Sequence, residues 1–146
     1  MDLLIADVND YSLYHATTAL AAYRILALNK LEARSKYSPE YDLQYYGISF
    51  TRSLQYAKSW DKSDVIFSVD YRLLKRHYRI VQRGKTNWTT NFYNRFKAEE
   101  FVVIGKGREI SNFNNFINMI YMKDRMQYKA EIIELCNKYS INFQYI

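Results

Sequence analysis

"RFKAEEFVVIG", residues 95–105, sets two adjacent carboxylates, Glu99 and Glu100, directly ahead of an apolar run. Phe101, Val102, Val103 and Ile104 are aromatic or β-branched, so the run reads as a strand, the most strongly strand-like segment of the chain. An acidic pair at the mouth of such a strand has two readings. Either it marks the solvated end of the strand, or one of the carboxylates faces a cavity. The rest of the chain decides between them.

Composition narrows the classes first. The chain has 146 residues, 49% apolar and 25% charged, which suits one folded domain with a real core. Four glycines and one proline leave nothing that reads as an interdomain linker. "MDLLIADVND" lacks the basic start of a signal peptide, and no window approaches the ~20 apolar residues of a membrane span. The single cysteine, Cys136, falls in the amphipathic "AEIIELCNKY" as a small core residue, which fits a reduced cytoplasmic setting. No Cys/His spacing suggests a metal, so none is expected. The net charge of +6 and pI of 9.3 favour an anionic partner: nucleic acid, a dinucleotide or an acidic protein face. Fifteen tyrosines could stack on bases, but an AT-rich coding bias would supply them equally well.

Working along the chain, "SLYHAT" (12–17) alternates Leu13 and His15 against Tyr14 and Ala16 and reads as a short strand. Thr17 or Thr18 then caps a helix over "TALAAYRILALNKLEA", with Leu20, Tyr23, Ala27, Leu28 and Leu31 on its buried face. "RSKYSPEYDLQYYG" (34–47) reads as an aromatic-rich loop, and "GISFTRS" as a strand opening at Gly47. "SLQYAKSW" has helical spacing that sets Tyr56 and Trp60 on one face. "DVIFSVDY" is a strand, "RLLKRH" a turn or short helix, and "YRIVQ" a strand. Residues 83–98 form a long polar and aromatic loop that ends at the acidic pair. "FNNFINMIYM" is a strand or a helix, and "DRMQYKAEIIELCNKYS" a helix burying Ile132, Leu135 and Tyr139. "INFQYI" closes as a strand. Short strands without regular βαβ alternation make the expected class α+β, with split antiparallel or mixed sheets flanked by helices.

Three elements thus stand in order: His15 on the first strand, "YGISFTRSLQYAKSW" in the middle, and Glu99/Glu100 at a late strand. Singly, each has an ordinary structural explanation. A lone strand histidine is usually satisfied within the fold, a leading Glu usually ends a strand, and an i,i+4 aromatic pair is usually core. In order, they resemble the ADP-ribosyltransferases of the His-Tyr-Glu branch, the group of the poly(ADP-ribose) polymerases and diphtheria toxin. "LYHAT" is similar to that branch's first motif, "YGISFTRSLQYA" to its Gly-Ile-Tyr-Phe strand and following helix, and "AEEFVVIG" to its Glu-led strand. The order "LYH…ISF…AEE" also resembles small phage proteins, some related to anti-CRISPR transferases.

The resemblance implies NAD as co-substrate, with no metal. Nicotinamide leaves a pyridinium as a neutral molecule and needs no proton, so a general acid is dispensable. What the reaction requires is a carboxylate beside the ribose, to hold a hydroxyl and stabilise oxocarbenium-like charge. Glu100 takes that role, and Glu99 lies on the opposite face, in solvent or near the acceptor. His15 would bond the adenosine ribose, Ala16 would offer backbone groups to the nicotinamide amide, and Thr17 would serve a ribose. Tyr56, or failing it Trp60, would stack on nicotinamide. Gly47, Ser49 and Ser53 line the strand and its turn, and Arg34 or Arg52 would meet the pyrophosphate. Ser49 stands where the polymerases carry Tyr, which makes the stacking partner the departure from the pattern.

In this family the loop before the catalytic Glu helps select the acceptor. Here it offers Arg83, Lys85, Trp88, Phe92, Tyr93, Arg95 and Phe96 beside Glu99. The phage resemblance implies a factor that modifies a host or defence-system protein in the host cytoplasm. Nucleic acid, or a complex that binds it, is the second candidate acceptor. The same fold could also serve an RNA 2′-phosphotransferase, or an inactive inhibitor that works by occlusion. His77, with Lys75, Arg76 and Arg79, falls outside the three elements and reads as a solvated basic surface or an anion contact.

Overall fold

β1 (Ser12–Thr17) lies antiparallel to β5 (Val65–Asp70), His15 opposite Phe67 and Thr17 opposite Val65. β5 is buried from Val65 to Val69, as expected of a strand covered on both faces. Its other neighbour is β9 (Ile117–Met122), beyond which β10 (Phe143–Tyr145) runs parallel, giving a four-stranded sheet β1-β5-β9-β10. A second, antiparallel sheet has the order β3-β4-β7-β6, from β3 (Arg34–Ser38), β4 (Leu43–Phe50), β6 (Arg79–Arg83) and β7 (Glu100–Ile104). A two-stranded ribbon joins β2 (Lys30–Glu32) to β8 (Glu109–Ser111). The computed structural model describes residues 12–38, 43–83, 100–104 and 109–146, and only the backbone at 35–38, 43–45, 81–83 and 100–104.

Among the described residues, four helices accompany the sheets in an α+β architecture: α1 (Ala19–Leu28), α2 (Leu54–Ser59), α3 (Tyr71–His77) and α4 (Lys129–Tyr139). The main core gathers Leu13, Val65, Phe67 and Val69 with Leu26, Phe113, Ile120, Ile132 and Cys136. Phe67 and Phe113 meet edge to face at 5.4 Å, a favourable aromatic geometry. A smaller cluster on the other side of β1 and β5 packs Tyr14 and Ile66 against Ala57 of α2.

Three sequence expectations are corrected here. The first helix does not run on through Leu31: Asn29 adopts the left-handed conformation (φ 53°) and ends it. Leu31 is buried in β2 instead, and α1 buries Ala19, Ala22 and Leu26 while Leu20 and Leu28 are 39% and 61% exposed. Small alanines permit the close approach, so tertiary packing overrides the leucine periodicity. Secondly, residues 34–47 are not a loop, since β3 and β4 pair antiparallel from Arg34–Gly47 to Ser38–Leu43. Thirdly, β4 does not open at Gly47 but begins at Leu43. The ambiguous "FNNFINMIYM" divides into a 3₁₀ turn, Phe113–Phe116, followed by β9. Ile132 and Cys136 are the buried residues of α4, with Leu135 and Tyr139 half-buried against the same core.

Candidate functional site

Backbone hydrogen bonds tie the edge of the first large sheet to the end of β4 in the second. Tyr14 of β1 and Thr51, just past β4, exchange both backbone hydrogen bonds, Tyr14 N–H to Thr51 O at 2.8 Å and Thr51 N–H to Tyr14 O at 3.0 Å. These bonds direct the Tyr14 backbone away from β5 and toward the outer edge of β1. In an extended strand the alternation repeats every second residue, so the N–H and C=O of Ala16 point to that same outer edge. The Thr17 carbonyl points inward, where it accepts from the Asp64 N–H at 3.0 Å.

His15 sits between them. Its Nδ1 lies 2.8 Å from the Ser49 carbonyl, and its ring tilts against Phe50 at 5.6 Å. A carbonyl can only accept, so Nδ1 carries a proton and donates it to the Ser49 carbonyl. The imidazole orientation is thereby fixed from β4, the strand beside β7. Ser49 pairs with Val102, and Phe50 with Phe101. One further step in that register sets the Glu100 position opposite Thr51, beside the junction. The acidic end of β7, the edge of β1 and the end of β4 therefore converge.

The turn after Thr51 is locally determined. Thr51 Oγ1 accepts from the Ser53 N–H at 3.2 Å, and Ser53 Oγ accepts from the Tyr56 N–H at 3.0 Å as the N-cap of α2. Tyr56 and Trp60 meet edge to face at 5.6 Å; Tyr56 is half-buried and Trp60 exposed. On the other side, Thr18 caps α1 through Oγ1 to the Ala21 N–H (3.3 Å), while the Asp64 carboxylate accepts from the Ala19 N–H (3.1 Å). Lys123 Nζ approaches that carboxylate at 3.4 Å. Tyr14 is itself held out of water; burial pushes its phenol above the ordinary value, with Tyr121 adding to the shift and a hydrogen bond from Ser12 opposing it.

Of the residues singled out by sequence, His15, Ala16, Thr17, Ser49 and Ser53 are gathered at this junction, and Tyr56 stands on the helix that leaves it; Trp60, expected on the same helical face, is instead the extended residue that ends α2. Arg52 is exposed within the turn, and Arg34 is exposed on β3 opposite the buried Gly47. Arg83 ends β6 opposite Glu100. Lys85, Trp88, Phe92, Tyr93, Arg95, Phe96 and Glu99 lie outside the described residues. Sequence reasoning missed Thr51 and Asp64. The Thr-x-Ser spacing before a helix could have found the first; nothing local marks the second, whose partner Ala19 is 45 residues away. No group of three or more His, Cys, Asp or Glu among the described residues is placed to hold a metal ion.

Two sheets joined through a histidine-bearing edge strand, with a Glu-led strand at the junction, make an α+β fold shared with solved structures. The particular likeness is to Thermus sp. 2.9 DarT. Its complex with carba-NAD+ superposes with a TM-score of 0.54 at 11% identity, over 93% of this chain and 95% of that one. Its NAD+ complex gives 0.53 at 10% identity, over 92% and 95%. Its complex with ADP-ribosylated single-stranded DNA gives 0.55 at 9% identity, over 93% and 94%. At such identities the likeness is one of fold. No family model and no curated protein sequence matches the chain significantly.

Proposed function

We propose that this protein is an NAD-dependent ADP-ribosyltransferase with its site at the β1–β4–β7 junction. The observation that carries the reading is the fixed His15 imidazole, held by the Ser49 carbonyl at 2.8 Å beside the Glu100 position, in a fold that DarT uses with NAD+ bound. The residues suit the ligand. With Nδ1–H held by Ser49, the His15 ring presents Nε2 for a hydrogen bond with a ribose hydroxyl, and the outward N–H and C=O of Ala16 complement a carboxamide. Thr17, Ser49 and Ser53 supply further short polar groups, and Arg34 and Arg52 supply cations for a pyrophosphate. Tyr56, with Trp60 braced against it, offers a ring to stack on nicotinamide.

In the reaction the bond from the ribose C1 to the nicotinamide nitrogen breaks, and nicotinamide departs with the electron pair. Glu100 stabilises the positive charge that develops on the ribose and holds a ribose hydroxyl. The acceptor's nucleophilic atom forms the new bond to C1, and its proton passes to Glu100 or to water.

Nucleic acid is the acceptor we favour. The chain is basic, at +6, and the DarT structure with ADP-ribosylated single-stranded DNA pairs this fold with such a product. A host or defence-system protein as acceptor, and the phage and anti-CRISPR associations implied by the sequence, gain nothing from that likeness. The buried thiol of Cys136 suits a reducing cytoplasm.

The test is incubation with biotin-labelled NAD in the presence of single-stranded DNA and a bacterial lysate, wild type beside Glu100→Ala. Label on nucleic acid from the wild type alone supports the reading, and label on protein alone overturns the choice of acceptor. With no label and no nicotinamide release, the transferase reading fails.

A further inference from the structure

The basic cluster at the end of α3 takes no part in the junction. Lys75, Arg76 and His77 form the last turn of that helix, and Arg79 opens β6 after a single residue, Tyr78. All four are exposed, and none of Lys75, Arg76 and Arg79 forms an ion pair among the described residues. Two are braced by rings: Lys75 Nζ lies 5.7 Å from the Tyr71 ring centroid, and His77 meets Phe116 edge on at 5.8 Å. The dipole of α3 favours cations in its last turn. That accounts for the first three and not for Arg79.

The topology gives the cluster a direction. β6 is the outer strand of its sheet, and its register runs from Arg79 opposite Ile104 to Arg83 opposite Glu100. The basic positions therefore begin on α3, continue at Arg79 where β6 opens, and recur at Arg83 ~14 Å along the strand, opposite the residue proposed to hold the ribose. Ile80, next to Arg79, packs against the core, so the strand's alternation leaves Arg79 outward.

We infer that the last turn of α3 and the edge strand β6 form a track for the sugar-phosphate backbone of a single-stranded DNA acceptor, leading one nucleotide to the Glu100 end of β7. This inference rests on the transferase reading above. The neighbouring cations Lys75, Arg76 and Arg79 match consecutive phosphates of one backbone, whereas a duplex presents two. A base or sugar that must reach a strand mouth also has to leave the stack, which costs least in single strands.

The experiment is fluorescence anisotropy of a labelled single-stranded DNA 12-mer across a salt series, without NAD. It compares wild type, the track variant Lys75→Gln/Arg76→Gln/Arg79→Gln, and a charge-matched control, Arg24→Gln/Arg125→Gln/Lys138→Gln, taken from exposed cations elsewhere. Each phosphate contact on a single strand contributes about 0.7 to the log–log salt slope, so the track variant should lose about 2 from that slope. Its affinity at 0.1 M salt should fall on the order of tenfold or more, with the control losing much less. Equal losses in the two triple variants would reduce the effect to net charge and overturn the inference, as would failure of the wild type to bind the oligonucleotide. Because binding is read without NAD, the two claims separate. Track-dependent binding with no label transfer removes the transferase reading alone, and DNA labelling that the track variant performs as well as wild type removes the track alone.

Discussion

Replacing Asp64 with alanine should loosen the turn that carries Thr17 and Thr18 into α1. Asp64 is 31% exposed at its side chain and makes two distinct contacts, one carboxylate oxygen to the Ala19 N–H at 3.1 Å and the other to Lys123 Nζ at 3.4 Å. A carboxylate serving an otherwise orphaned N–H at a helix start contributes about 1–2 kcal/mol. The Lys123 pair, with the lysine 44% exposed, is screened by water and adds about 0.5 kcal/mol or less. Asp64→Ala should therefore cost about 2 kcal/mol, or a fall in Tm of about 6 °C for a chain of this length. Asp64→Asn keeps an acceptor oxygen but loses the charge, and should cost about half as much. Thermal unfolding of these variants, with a double-mutant cycle through Lys123→Ala, measures both contributions. An alanine variant within about 0.5 kcal/mol of wild type would refute the reasoning, as would a Lys123 coupling larger than the whole Ala19 contribution.

Further outcomes follow from the core and its caps. Phe113→Ala removes the fully buried ring that faces Phe67 and should cost about 3–5 kcal/mol in denaturant unfolding. Asn29, at φ 53°, donates from Nδ2 to Asn114 Oδ1 at 2.7 Å and accepts the Asn114 backbone N–H on Oδ1 at 2.8 Å. Glycine there loses only those bonds, whereas alanine also bears the left-handed backbone, so Asn29→Ala should be about 1 kcal/mol less stable than Asn29→Gly; equal midpoints for the two would contradict this. Burial pushes the Cys136 thiol from its ordinary 9.0 to about 11, so a disulfide reagent at pH 8 should label the protein only after denaturation. Tyr14 is raised in the same direction. Each group binds its proton more tightly when folded, so stability is full below the unfolded-state values and declines as pH rises above about 9. Denaturant midpoints that hold or rise from pH 9 to 10.5 would contradict that sign.

How much of this was legible depended on how local the determinants are. "SLYHAT", by its alternation, and "DVIFSVDY" and "EEFVVIG", by their β-branched and aromatic residues, carry strand chemistry of their own, and β1, β5 and β7 form within them. Thr18, one of the two caps the sequence offers, caps α1, and Ser53, read only as lining the turn, caps α2; each cap needs only three residues of context. The β3–β4 pairing was hidden because proline and tyrosines in "RSKYSPEYDLQYY" dilute the two-residue alternation, and because Gly47 resembles a boundary although it lies inside the strand. β2 and β8 are three residues each, too short for any periodicity, and exist because they find each other across the chain. The site follows the same rule. The order of His15, the Gly47–Trp60 segment and Glu99/Glu100 is legible along the chain, but the bond from His15 to the Ser49 carbonyl spans 34 residues and belongs to the fold. So do Thr51, which staples the two sheets, and Asp64, which holds the far side of the turn.

The acidic pair ahead of β7 offers the most direct test of the account. Nicotinamide release from NAD should be measured with single-stranded DNA present, comparing wild type, Glu100→Gln and His15→Ala. The account predicts release by the wild type, near-complete loss in Glu100→Gln with NAD still bound, and weakened NAD binding in His15→Ala. Release that survives Glu100→Gln would contradict it, because the junction of β1, β4 and β7 would then not be where the ribose is held.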